Sequence, residues 1–184
     1  ATIRRQRQMC IRDRFLAVNG YYPPHNRYTA PKQFYEPYRG KGILRAGYYA
    51  AVSNLDYNVG RIVAALDELG IRENTILVYY SDHGDHFLYR DGLTAKFTCH
   101  EDAIRVPFII YGPGTIPAGL ELDEFVGLED LMPTVLEWAK LPVPDHLHGR
   151  SLAPLLAGQA GNTVGWRENY YVQNRLKRDL SLIH

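Results

Sequence analysis

The chain has 184 residues, 46% hydrophobic and 22% charged, with 21 lysines and arginines against 20 aspartates and glutamates. This suits one ordinary domain with a real apolar core and argues against a disordered or collagen-like chain. No run is long and apolar enough to span a membrane.

The two ends share a peculiarity. Met9-Cys10-Ile11-Arg12-Asp13 back-translates as ATG TGT ATA AGA GAC. The reverse complement of that DNA, with AG following, reads CTG TCT CTT ATA CAC, which encodes Leu-Ser-Leu-Ile-His, the residues at 180–184. One DNA sequence read on both strands accounts for both ends, and it resembles the transposon mosaic end used in shotgun library preparation. Residues 1–14 and 180–184 are therefore expected to be adapter-derived and non-native, leaving 15–179 as the native part. Without residues 1–14 the formal charge falls from +1 to −3, because Arg4, Arg5, Arg7, Arg12 and Arg14 go with Asp13. No basic stripe is left, so no nucleic-acid partner is expected. Cys10 goes too, leaving Cys99 alone and no intrachain disulfide.

In chain order, Phe15-Leu16-Ala17-Val18-Asn19 reads as a short buried strand. Residues 20–42 are rich in Pro, Tyr and Arg and read as an irregular excursion, long enough to suggest a function. Val52, Leu55, Val59, Ile62, Leu66 and Leu69 step by three and four, which predicts a helix over 47–69 closed by Gly70. Asn74 to Tyr80 is apolar without alternation and reads as a central strand covered on both faces. Residues 81–100 form a polar loop. Val106 to Tyr111 is a third strand, closed by Gly112-Pro113-Gly114, and Phe125-Val126-Gly127 a candidate fourth. A helix is expected over 131–138, started near Glu129-Asp130, with Pro133 in its first turn and Val135 and Leu136 inward. Ser151 is expected to cap a short helix over 152–157, stopped by Gly158. Strands alternating with helices predict an α/β fold.

The chemistry concentrates where the second strand ends, at Ser81-Asp82-His83-Gly84-Asp85. Carboxylate and imidazole at the carboxyl end of a buried strand suit a divalent cation. The plainer alternative is a turn in which Asp82 accepts from backbone amides and His83 lies at the surface. The strand before the pair and Lys96 after it favour the cation. Lys96 is a candidate for neutralising charge on an anionic substrate or departing oxygen. Asp85, His86, His100 and Glu101 are candidate ligands or supporting partners, each individually better read as structural. His25, after Pro23-Pro24, is a candidate anion binder or general acid. Arg105 reads as the partner of a carboxylate. No Gly-rich phosphate loop and no G-x-S-x-G elbow occurs, and Cys99 reads as a small buried hydrophobe.

Taken together these segments resemble the sulfatase family of the alkaline phosphatase superfamily. The matching series begins with Tyr49 to Asp56 and Val59-Gly60-Arg61-Ile62. It continues through Leu69-Gly70, Glu73-Asn74-Thr75-Ile76, Ser81 to Asp85, Lys96, Glu101, Arg105-Val106-Pro107 and Gly112-Pro113-Gly114. Asp130 to Thr134, Gly149-Arg150-Ser151-Leu152 and Pro154-Leu155-Leu156 complete it. The resemblance implies an α/β fold of the alkaline-phosphatase-like sandwich type, here partial: a mainly parallel central sheet flanked by helices, truncated at both ends. It implies hydrolysis of a small-molecule or carbohydrate sulfate ester at a divalent cation, Ca2+ foremost. Asp82 and His83 match the family's late metal-ligand pair, Lys96 its substrate-binding lysine, and His25 a sulfate-binding histidine. The family's nucleophile is a formylglycine made from the Cys or Ser of a Cys/Ser-x-Pro-x-Arg signature. That signature does not occur in the 184 residues, nor does the early aspartate pair. Both are expected upstream of Phe15, which makes the chain the C-terminal portion of a catalytic domain.

Three other readings stay open on sequence. A phosphodiesterase or phosphonate monoester hydrolase of the same superfamily would use the same late pair, with Mn2+ or Zn2+ in place of Ca2+. A phosphoethanolamine-type transferase would carry membrane helices upstream. A non-catalytic binding protein would retain the fold alone.

Overall fold

The computed structural model describes residues 3–11, 14–25, 27–87, 96, 98–157, 165–174 and 179–183, the side chains of 3–11, 174 and 179–183 excepted. Two units divide at Arg72 and Glu73.

The first unit opens with an antiparallel pair, β1 (Ile3–Ile11) and β2 (Arg14–Tyr21), in register from Ile11 opposite Arg14 to Gln6 opposite Asn19. The strand predicted over 15–19 is present, but it is not buried. Phe15, Leu16 and Val18 are each about half exposed, at 50%, 45% and 47%. A two-stranded ribbon has two open faces, and here neither is closed over those side chains. After it come α1 (Lys32–Tyr35), a 3-10 turn over Glu36–Tyr38, and α2 (Ala46–Glu68).

Helix α2 forms as the periodicity predicts, within one residue at each end. Its stop is a Schellman arrangement: Ile71 N donates to Leu66 O, Gly70 N to Asp67 O, and Gly70 takes a φ of +65° that a side chain would resist. The buried face differs from the predicted one. Ala50, Ala51, Asn54, Leu55 and Leu66 are buried, whereas Val52 and Leu69 are exposed. Small residues win that face because the Tyr-rich segment lies close upon it. A Cβ added at Gly47 would sit 3.1 Å from Tyr28 O.

The second unit holds β3 (Leu77–Tyr80), α3 (Glu101–Ile104), β4 (Phe108–Tyr111), α4 (Leu131–Trp138), α5 (Ala153–Leu156), β5 (Tyr170–Asn174) and β6 (Asp179–Ile183). β3 pairs with β4 antiparallel, Leu77 opposite Tyr111 and Tyr80 opposite Phe108, and β5 pairs with β6 antiparallel. Mixed α/β composition is as expected. The mainly parallel sheet is not: among the described residues every pairing is antiparallel. A parallel neighbour needs a long crossover, usually a helix, and the only helix described between β3 and β4 has four residues. With one neighbour each, β3 and β4 are half-buried or exposed rather than covered on both faces. Phe125–Gly127 form no strand, and the predicted stop at Gly158 lies outside the described residues.

Helix α4 matches its predicted span, entered through a 3-10 turn over Leu128–Asp130. Its buried residues are Pro133 and Thr134, while Val135 and Leu136 are half-buried. The N-cap of α5 is Leu152 rather than the expected Ser151, whose Oγ accepts from Ala153 N at 3.2 Å one position earlier. The core of the unit is Leu152, Leu155 and Leu156, against which Phe108, Ile110, Val126, Trp138 and Trp166 pack.

Candidate active site

Strand β3 ends at Tyr80 and the chain turns at once. Ser81 Oγ donates to His83 O at 2.8 Å, and Asp82 Oδ1 accepts from His83 N at 3.1 Å. Gly84 N donates to Ala103 O at 2.8 Å, which fastens the turn to α3. A Cβ at Gly84 would collide with Asp102 O and approach Ala103 Cα to 3.3 Å. Glycine is required there by closeness of backbone, and that closeness sets where Asp82 and His83 stand.

The imidazole is oriented from behind. His83 Nδ1 donates to Gly84 O at 2.9 Å, which leaves Nε2 as the lone-pair nitrogen. Metal-ligating histidines are fixed in this manner. Lys96 Nζ donates to Nε2 at 2.7 Å, and Asp82 Oδ2 lies 3.5 Å from the same nitrogen. Carboxylate, imidazole lone pair and ammonium thus converge on one point. The side chain of Asp82 is 81% exposed and that of His83 37%. The turn expected as the plainer alternative is formed, with Asp82 accepting from the backbone. Asp82 spends Oδ1 on the turn and keeps Oδ2 turned to His83.

The neighbours are placed differently. Asp85 Oδ1 accepts from Phe87 N at 2.8 Å and shapes the next bend. His86 is buried, and neither ring nitrogen has a hydrogen-bond partner among the described residues. His100 O accepts from Ala103 N and Ile104 N and starts α3. Arg105 and Glu101 form an exposed pair at 3.7 Å across one turn, the carboxylate partner expected for Arg105. Cys99 is a half-buried free thiol. His25 belongs to the first unit, where its ring lies 4.8 Å from that of Tyr22.

A model of the sulfatase family matches residues 11–141, more than half of the chain. The chain belongs to the sulfatase family. An arylsulfatase of Clostridium perfringens is 35% identical over 142 residues, covering 73% of this chain and 28% of that protein. A solved protein in complex with its substrate D-glucosamine-2-N,6-O-disulfate is 32% identical, with a TM-score of 0.62. That match covers 75% of this chain and 29% of the other. A phosphonate monoester hydrolase from Silicibacter pomeroyi is 33% identical, also with a TM-score of 0.62, covering 69% of this chain and 24% of that one. The chain spans roughly a quarter of the length of the relatives it matches.

One polar centre escaped sequence reasoning. Asp130 is fully buried and takes four hydrogen bonds: 2.7 Å from Arg167 Nη1 and from Arg167 Nη2, 2.8 Å from Arg150 N and 2.9 Å from Gly127 N. Its own carbonyl accepts from Thr134 Oγ1, which accepts in turn from Leu152 N. Hydrogen bonding to Asp130 holds the Arg167 guanidinium above its ordinary pKa. Tyr170 donates to both oxygens of Glu129, and burial first, then that bond, pushes its phenol well above 10.0. The cluster ties α4 to the segments around Arg150 and Arg167. The one sequence signal was an acid at a helix start, and the same signal marks any capped helix.

Proposed function

We propose that Asp82, His83 and Lys96 form the late half of the active site of a sulfuric ester hydrolase, with Asp82 and His83 as ligands of a divalent cation, Ca2+ foremost. The observation that carries this is the arrangement around His83 Nε2. Its tautomer is set by Gly84 O, and a carboxylate oxygen and an ammonium face the freed lone pair. The donor set fits a cation: one hard oxygen and one imidazole nitrogen, 3.5 Å apart, on a turn that glycine holds in place.

When bound, the cation supplies positive charge that polarises the ester and stabilises negative charge as it develops. His83 holds its lone pair forward because Nδ1 is committed to the backbone. Asp82 offers Oδ2. Lys96 carries a mobile ammonium on a flexible stem, suited to hydrogen-bond a sulfate oxygen or the departing ester oxygen. Its present bond to Nε2 is one it would exchange for the substrate. His25 is proposed as a further sulfate-binding residue. The nucleophile would be a formylglycine from outside these 184 residues, and the substrate a small-molecule or carbohydrate sulfate ester, with residues 15–179 the native part.

A titration of the chain with CaCl2, followed by heteronuclear NMR, tests the reading. The His83 imidazole nitrogens and the Asp82 and Gly84 amides should shift together, and Asp82→Ala should abolish the response. Shifts elsewhere, or none with Ca2+, Mn2+ or Zn2+ in the millimolar range, would remove the metal site. The 33% identity to a phosphonate monoester hydrolase favours phosphoryl chemistry as a second reading. A response to Mn2+ or Zn2+ at concentrations where Ca2+ gives none would select it.

A further inference from the structure

The Tyr-rich excursion of the first unit builds a cavity of about 540 Å3, lined by Ala30, Lys32, Tyr35, Tyr38, Arg39 and Ala46. Its two tyrosines are locked from outside. Tyr35 Oη accepts from Ala30 N at 3.3 Å and donates to Tyr28 O at 2.9 Å. The hydroxyl of Tyr38 lies 2.6 Å from Ser53 Oγ on α2. With their polar ends engaged, the rings offer the cavity rigid apolar surface at little entropic cost. Ala30 and Ala46 keep the lining between them shallow.

The charge of the lining has one sign. The side chain of Lys32 makes no hydrogen bond or ion pair among the described residues, and the residue is exposed. Among the described residues Arg39 pairs with Glu36 alone, at 2.9 Å, in a pair whose side chains are 64% and 48% exposed. Such a pair is weak enough to be exchanged. Residues 27–45 carry Arg27, Lys32, Arg39, Lys41 and Arg45 against Glu36 alone, while the rest of the chain holds 16 bases against 19 acids. Two of these five cations, Lys32 and Arg39, line the cavity.

We propose that this cavity binds a sulfated saccharide ring, with Tyr35 and Tyr38 against the ring and Lys32 and Arg39 on the sulfate. Aromatic walls suit the C–H face of a sugar, and a guanidinium and an ammonium in one lining suit a sulfate that has several acceptor oxygens. The choice of a sulfated sugar rests on the sulfatase reading. The cavity itself is built wholly from the first unit and uses none of Asp82, His83 or Lys96.

The test is an amide NMR titration of the full chain with N-acetylglucosamine 6-sulfate, N-acetylglucosamine and sodium sulfate in parallel. Saturable shifts over residues 30–46 are expected with the sulfated sugar, with affinity about tenfold or more below it for either of the others. The double variant Lys32→Gln/Arg39→Gln should weaken binding by at least about tenfold, and its spectrum reports whether it is folded. Glu36→Gln, which frees Arg39, should tighten it. Asp82→Ala should leave it unchanged. Equal binding of sodium sulfate, an unaffected Lys32→Gln/Arg39→Gln variant, or shifts confined to residues 81–84 and 96 would each overturn the proposal. Failure of the metal reading shows separately, as a missing response to CaCl2 at His83 in the same samples.

Discussion

At the scale of single residues, Gly84 carries a clear cost of replacement. A Cβ there would press on the backbone of Asp102 and Ala103, and backbone cannot rotate away as a side chain can. Gly84→Ala should therefore destabilise the second unit by about 2 kcal/mol, read as a lower urea midpoint. It should also weaken the Ca2+ response, because the loop moves with Asp82 and His83. An unchanged midpoint would mean the loop can lift off α3 freely. Tyr170 gives a pH signature. Its folded pKa is raised above 10.0 by burial and by Glu129, so its contribution is whole below pH 10.0 and is lost as pH rises toward the folded value. Measured from about pH 8 to about pH 11, the wild-type chain should lose stability more steeply than Tyr170→Phe, and the gap between them should narrow above pH 10.0. Parallel curves would show that the phenol is not protected.

At the scale of elements, Asp130 acts as a clasp. One carboxylate satisfies two backbone amides and one guanidinium, drawn from the approach to α4, the approach to α5 and the segment before β5. Arg167 is held further by the faces of Trp166 at 5.2 Å and Tyr170 at 5.5 Å. Asp130→Ala should cost about 3 kcal/mol in urea denaturation, since it leaves two amides without their acceptor and the half-buried Arg167 with Glu129, at 3.7 Å, as its remaining carboxylate among the described residues. Arg167→Met should cost less, because Gly127 N and Arg150 N still serve the carboxylate. The reverse ranking would locate the energy in the aromatic contacts of Arg167. The sequence was legible where information is local. Helix α2 could be read because twenty-three residues repeat one spacing and Gly70 ends it. That Asp82, His83 and Lys96 come close together could be read because they lie within fifteen residues of one another. Asp130 could not, because its side-chain partner lies 37 residues away. Nor could the strand pairing. Apolar runs mark strands, but the direction of a neighbour depends on the path between them.

At the scale of the whole molecule, the number of ligands decides what the chain can do alone. Among the described residues no group of three or more potential ligands gathers, and Asp82 with His83 gives two. Hard divalent cations take six to eight oxygens when bound tightly, and sites with few charged ligands bind only in the range of about 10⁻⁴–10⁻³ M. Catalysis needs more still, because the sequence holds no Cys/Ser-x-Pro-x-Arg from which a formylglycine would be made. The 184-residue chain should therefore bind Ca2+ weakly and release no 4-nitrophenol from 4-nitrophenyl sulfate above the level of its Lys96→Ala variant. Calorimetry and a continuous absorbance assay on one preparation measure both. Micromolar affinity would show that further ligands lie within the chain. Turnover that Lys96→Ala removes would show a nucleophile of another kind, and Ser81, whose Oγ bonds His83 O, would be the first to substitute.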